Sequence, residues 1–246
     1  MTRWACLALL GLSALSPGAA RADGLVADLS SHLIAITTGF TGASVVLFGA
    51  IEGPADVIAV VRGPERDVTI WRKDKIAGIW ANAESVTFAS MPSFYAVAAS
   101  RPLPDVLSPA SAALYRIGTG NLRFDPKSPT APDRARLFAD ALVETQKRAG
   151  VFSAGHEKIA FLGDRLFRTT FSFPANVPTG NYLVEIFLVR DKDVVGGQTT
   201  PLVVSKVGVD AAVFDFARGN SLAYGAIAVV TAVMAGWLAS LPFRNT

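Results

Sequence analysis

From Ser221 to Phe243 the chain reads SLAYGAIAVVTAVMAGWLASLPF, an uncharged apolar run followed only by Arg244, Asn245 and Thr246. At ~1.5 Å of rise per residue, Leu222 to Leu241 would make roughly 30 Å of helix, the thickness of a bilayer's hydrocarbon core. A helix packed on a soluble domain keeps a polar face, and this run has none. The sequence therefore predicts one C-terminal transmembrane helix over residues 221–243, with Tyr224, Trp237 and Phe243 suited to headgroup depth.

The other end of the chain sets a direction. Met1-Thr2-Arg3 is a short positive region, Trp4 to Leu15 is apolar, and Ala20-Arg21-Ala22 places small residues where a signal peptidase reads them. Pro17-Gly18 breaks the apolar stretch before it could span, so residues 1–22 are expected to be a signal peptide cleaved after Ala22. Cys6 lies inside the apolar region rather than at its end, which argues against lipid attachment. Export followed by a late stop-transfer predicts an N-out, C-in single-pass protein, with residues 244–246 as a cytoplasmic stub.

Processing changes the composition. The chain has 23 basic and 20 acidic residues. Loss of Arg3 and Arg21 leaves a net charge of about +1, which gives no compositional support for nucleic acid as a partner. Cys6 is the single cysteine and leaves with the signal peptide, so no disulfide, thiolate nucleophile or cysteine-ligated metal is expected. Only His32 and His156 remain as histidines, at no ligand spacing, and no Gly-x-Ser-x-Gly elbow or dinucleotide loop occurs. The expectation is no catalytic, cofactor or metal site.

Between the ends the chain reads as short β-branched runs separated by Gly, Pro and Asn: His32–Thr38, Ala43–Ile51, Asp56–Arg62, Asp67–Arg72, Ser85–Ala89 and Phe94–Ala99. Their spacing suggests an antiparallel meander. Ser108–Asn121 and Thr130–Gly150 then take helical spacing; in the second, Thr130 is the expected N-cap, Pro132 and Asp133 suit the first turn, and Gly150 suits the end. Its apolar positions Ala135, Phe138, Leu142, Thr145 and Ala149 form one stripe. Strands resume over Lys158–Leu162, Leu166–Phe173, Asn181–Arg190 and Pro201–Val207. The turn Pro178-Thr179-Gly180 leading to Tyr182 suggests the tyrosine corner of immunoglobulin-like sandwiches, in which the hydroxyl bonds back to the turn.

The expected fold class is thus mainly β with a helical insertion: immunoglobulin-like β-sandwich lobes plus one C-terminal transmembrane helix. The boundaries follow as an N-terminal lobe over 23–104, a helical insertion over 105–150, a C-terminal β lobe over 151–210, a linker over 211–220 and the membrane helix.

Several short motifs carry a resemblance: Phe48-Gly49, Val61-Arg62-Gly63-Pro64, Arg72-Lys73, Gly78-Ile79-Trp80, Pro92-Ser93-Phe94-Tyr95, Pro178-Thr179-Gly180-Asn181-Tyr182, Tyr224-Gly225 and Gly236-Trp237. Through them the chain resembles an uncharacterised family of alphaproteobacterial transmembrane proteins. The resemblance implies a bacterial inner-membrane location with the bulk of the chain periplasmic, and implies no activity.

Two candidate surfaces stand out. Arg62, Arg72, Lys73 and Lys75 could form an anion or partner patch. Ala228, Ala232, Gly236 and Ser240 recur every four residues, a small-residue strip along which another membrane helix could approach. Together they suggest a non-catalytic periplasmic binding or accessory subunit of an inner-membrane assembly, with a membrane-embedded protein as partner. A stand-alone ligand-sensing or solute-binding module is the second expectation, and an envelope enzyme the third.

Overall fold

A computed structural model describes residues 24–76, 78–208, 213 and 216–240. The signal peptide expected over 1–22 and the stub over 244–246 lie outside the described residues. Among those described, strands form three sheets. The first has the order β1 (Leu25–Leu29), β3 (Gly42–Ile51), β11 (Leu166–Pro174), β10 (Ala160–Leu162). The second has the order β2 (Leu33–Ile36), β13 (Asp193–Lys206), β12 (Gly180–Arg190), β4 (Asp56–Arg62), β7 (Tyr95–Ala99), β9 (Phe152–Lys158). The third is a long hairpin of β5 (Glu65–Ile76) and β6 (Ile79–Pro92), joined at its base by the short β8 (Asp125–Pro126).

Alternation decides the layers. In β1 and β11 every second residue is buried, so Leu25, Ala27 and Leu29 join Phe167, Phe171 and Phe173 on one face while the other face stays open. The second sheet is different: Val57 to Val61 of β4 and Tyr95 to Ala99 of β7 are buried without alternation, the mark of strands covered on both sides. The inner side meets the first sheet, where Phe173 stacks on Phe94 at 4.9 Å between centroids and meets Tyr182 edge-on at 6.0 Å. The outer side is covered by the segment holding α1 (Leu103–Val106), α2 (Pro109–Leu114) and a 3-10 turn (Thr119–Asn121), through Tyr115 against Phe187 and the buried Val106, Leu107 and Ile117.

Local signals account for the helices. Ser108 caps α2, its Oγ accepting from the Ser111 amide at 3.2 Å, and Pro109 fills the first helical position. The helix α3 (Pro132–Arg148) buries Phe138, Ala139 and Leu142, carries Asp133 in its first turn and Lys147 and Arg148 in its last, and Gly150 follows in the left-handed region at φ 75°. Its N-cap is Ala131 rather than Thr130, whose hydroxyl instead donates to the Ser128 carbonyl at 2.9 Å. Tyr182 donates to the Pro178 carbonyl at 2.5 Å, the local bond expected of that turn.

Two parts of the expected fold class are corrected. Immunoglobulin-like lobes are not what the strands form: those from before and after the helical segment share both large sheets, β11 lying beside β3 and β12 beside β4, while β2 joins β13 and β9 joins β7, each in parallel. Nor do the described strands follow one another as a meander. Partners are chosen by which apolar faces can meet across the whole chain, and a short strand's own residues do not encode that choice. The C-terminal transmembrane helix is likewise not found. A helix α4 covers Ser221–Ser240, but among the described residues no helix is long and apolar enough to cross a membrane. The apolar run read in the sequence goes on past this helix, and its last residues, 241–243, lie outside the described residues.

Candidate functional site

The four cations grouped in the sequence are separated by the fold. Arg62, at the end of β4, turns toward the helical segment. It pairs with Glu185 of β12, and its Nη2 donates to the carbonyls of Tyr115 at 2.8 Å and Arg116 at 3.1 Å. Its guanidinium lies 5.9 Å from the centre of the Tyr95 ring, directly opposite on β7. The Tyr95 hydroxyl donates to the Arg116 carbonyl at 3.1 Å and accepts from the Gly118 amide at 2.8 Å. Arg116, at φ 53°, is the left-handed residue that ends α2 and aims its carbonyl at both donors. Burial pulls Arg62 below the ordinary guanidinium range and pushes the Tyr95 phenol above its ordinary value.

This cluster fastens the helical segment to the second sheet. Arg62→Ala would leave the Glu185 carboxylate half-buried without its cation and two carbonyls without their donor, a loss of about 2 kcal/mol. Pairing it with Glu185→Leu should recover at least half of that, because the uncompensated charge goes too. Chemical denaturation of the two variants checks both, and a double variant no more stable than Arg62→Ala would contradict the assignment.

Arg72, Lys73 and Lys75 sit instead on the outer half of the β5–β6 hairpin. Between Trp71 and Ser85 no described side chain is buried, so this half stands as a two-stranded ribbon, running about 17 Å beyond Trp71 along β5. Register sorts its faces: Trp71 opposes Ser85, Lys73 opposes Asn82 and Lys75 opposes Trp80. Directly opposed residues share a face, so Trp71, Lys73, Lys75 and Trp80 lie together. The acids fall on the other side, Asp74 by alternation and Glu84 opposite Arg72, where Glu84 pairs with Arg134 of α3 at 2.8 Å and with Arg72 at 3.4 Å. Trp71 and Trp80 are 55% and 67% exposed, and Ile79 at the tip is 73% exposed. The tryptophan–lysine face was missed in the sequence because its members come from two strands.

A second exposed apolar surface lies on the outer face of the first sheet. Val26, Phe48, Leu162 and Leu166 line a groove of about 390 Å³, with Asp28 and Arg168 at its margins. Val26 is 71% exposed and Leu166 56%. The face runs out to β10, the sheet's edge, where Ala160, Phe161 and Leu162 are all exposed. At the opposite edge the Gln198 side chain closes the strand, accepting from the Ala27 amide at 3.0 Å and donating to its carbonyl at 2.6 Å. One edge is therefore sealed from within the fold, and among the described residues no strand pairs with the other.

A family model described as a putative transmembrane protein family, Alph_Pro_TM, matches residues 24–245. The chain belongs to this family. That description names no catalytic activity. A comparison with curated proteins returned no match. Among the described residues no group of three or more His, Cys, Asp or Glu could hold a metal ion. As for the strip in α4, Ala228, Ala232 and Gly236 stand in open surroundings, a Cβ at Gly236 meeting nothing within 4 Å; the Ser240 side chain lies outside the described residues.

Proposed function

We propose that this protein is a non-catalytic binding or accessory subunit of a membrane assembly in the bacterial envelope, its β-rich region lying on the periplasmic side. The observation that carries this reading is the groove of the first sheet, open along β10. An exposed edge strand beside a continuous apolar face is a hazard for a protein that works alone, and folds normally cover or charge it. The face fits an extended apolar segment of a membrane-embedded partner protein, which would add to the free backbone groups of β10 and cover Phe48 and Leu166. Membership in a transmembrane family supports a partner in the bilayer.

A photo-crosslinking residue placed at Leu162 in the full-length chain, in cells, tests it. The expected result is an adduct to an integral membrane protein that disappears when Phe48→Asp is added. The same probe at Thr170, farther along the sheet's outer side, should give no adduct. Because Phe48 is half-exposed, the substitution should leave thermal stability nearly unchanged. An adduct only to a second copy of this chain or to soluble proteins, or one that survives Phe48→Asp, would overturn the reading.

A further inference from the structure

The β5–β6 ribbon shares no residue with the sheet groove and serves a separate contact. We infer that its tryptophan–lysine face lies on an anionic lipid headgroup layer. Three observations select that occupant. Trp71 and Trp80 are large aromatic side chains with a polar ring N–H, the combination that favours the boundary between hydrocarbon and water, and both are more than half exposed. Lys73 and Lys75 stand between them on the same face, whereas the ribbon's acids, Asp74 and Glu84, are on the opposite face, so the exposed charge of this surface is purely positive.

The third observation is where the acids are spent. Glu84 is held by Arg72 and by Arg134 of α3, which braces the back of the ribbon against the body of the protein. The front is left without an ion pair for either lysine among the described residues. An isolated two-stranded ribbon is marginal in water, and laying its aromatic face on a headgroup layer removes that apolar surface from water while the ammonium groups reach lipid phosphates. A family assigned to the membrane puts such a surface within reach.

The test places the full-length chain in vesicles of phosphatidylcholine, with or without a minor fraction of phosphatidylglycerol, some lipids being brominated high on the acyl chain. Emission of Trp71 and Trp80 is taken as the difference between the native chain and Trp71→Phe/Trp80→Phe, which removes the contributions of the other tryptophans. With phosphatidylglycerol present, that difference should be quenched by roughly half or more by the brominated lipid and become several-fold less accessible to aqueous acrylamide. Lys73→Gln/Lys75→Gln should lower the quenching several-fold at unchanged circular dichroism, as should raised salt. The inference is overturned if the two tryptophans stay equally open to acrylamide with and without vesicles. Quenching that is indifferent to phosphatidylglycerol and to the lysines would also overturn it. Either failure leaves the crosslink at Leu162 untouched, so the two readings stand or fall apart.

Discussion

Gly49→Val is expected to destabilise the protein by about 3 kcal/mol or more and to unfold most of the β-rich region at moderate temperature. Gly49 sits inside β3, paired with Ala27 on one side and Phe167 on the other. A Cβ there would come within 2.5 Å of the Val26 carbonyl oxygen and 2.6 Å of the Phe167 ring. Neither can yield: the carbonyl belongs to the neighbouring strand, and Phe167 is fully buried between the sheets. Glycine in a strand interior marks such a close approach. Gly53, in the turn after β3 with nothing within 4 Å, is the contrast; its cost comes from backbone conformation at φ 76° alone, so Gly53→Ala should be milder. Denaturant midpoints of the two variants check this, and equal losses would refute the packing account.

Stability should also fall steeply as pH rises from about 10 to about 12. Burial between Phe94 and Phe173 pushes the Tyr182 phenol up to about 12 from its ordinary 10.0. The folded state thus holds the proton more tightly than the unfolded chain does. Below pH 10 both states are protonated and the contribution is fully present; above it the unfolded chain ionises first, and the advantage is lost until the folded phenol ionises as well. Two units correspond to about 2–3 kcal/mol. Burial shifts Tyr95 in the same direction, so the losses reinforce one another. Tyr182→Phe should cost about 1 kcal/mol near neutrality, through the lost bond to Pro178, and should then flatten the alkaline decline. Denaturant midpoints between pH 9 and 12 decide it; an unchanged slope in the variant would sink the proposal that Tyr182 carries the decline.

Much of the local structure was legible because its causes are local. Pro132, Asp133 and Gly150 mark α3, and the turn before Tyr182 makes the hydroxyl-to-backbone bond its residues suggest. Strands whose side chains alternate, such as β11, were legible as well. The outer half of the β5–β6 hairpin was not, since the run Arg72-Lys73-Asp74-Lys75 has no apolar alternation and its stability comes from cross-strand pairing. β9 was missed for a similar reason, since with Gly155, His156 and Glu157 exposed it is held as a strand by its parallel neighbour β7; β1 does alternate and was passed over because it stands just after the expected cleavage site.

The candidate surfaces divide the same way. Proximity in the chain grouped Arg62 with Arg72, Lys73 and Lys75, yet one turn of direction after β4 sends Arg62 to Glu185 and the other three to a free ribbon. Residue types by themselves determined the β-rich composition, the helical segment and the family motifs. Only tertiary structure decided that strands from both halves of the chain share two sheets, that Trp80 crosses to stand beside Lys75, and that no described residue covers the face around Phe48 and Leu166. Propensity and capping act within a few residues, whereas pairing and burial depend on which distant segments meet, and no stretch of sequence carries that information alone.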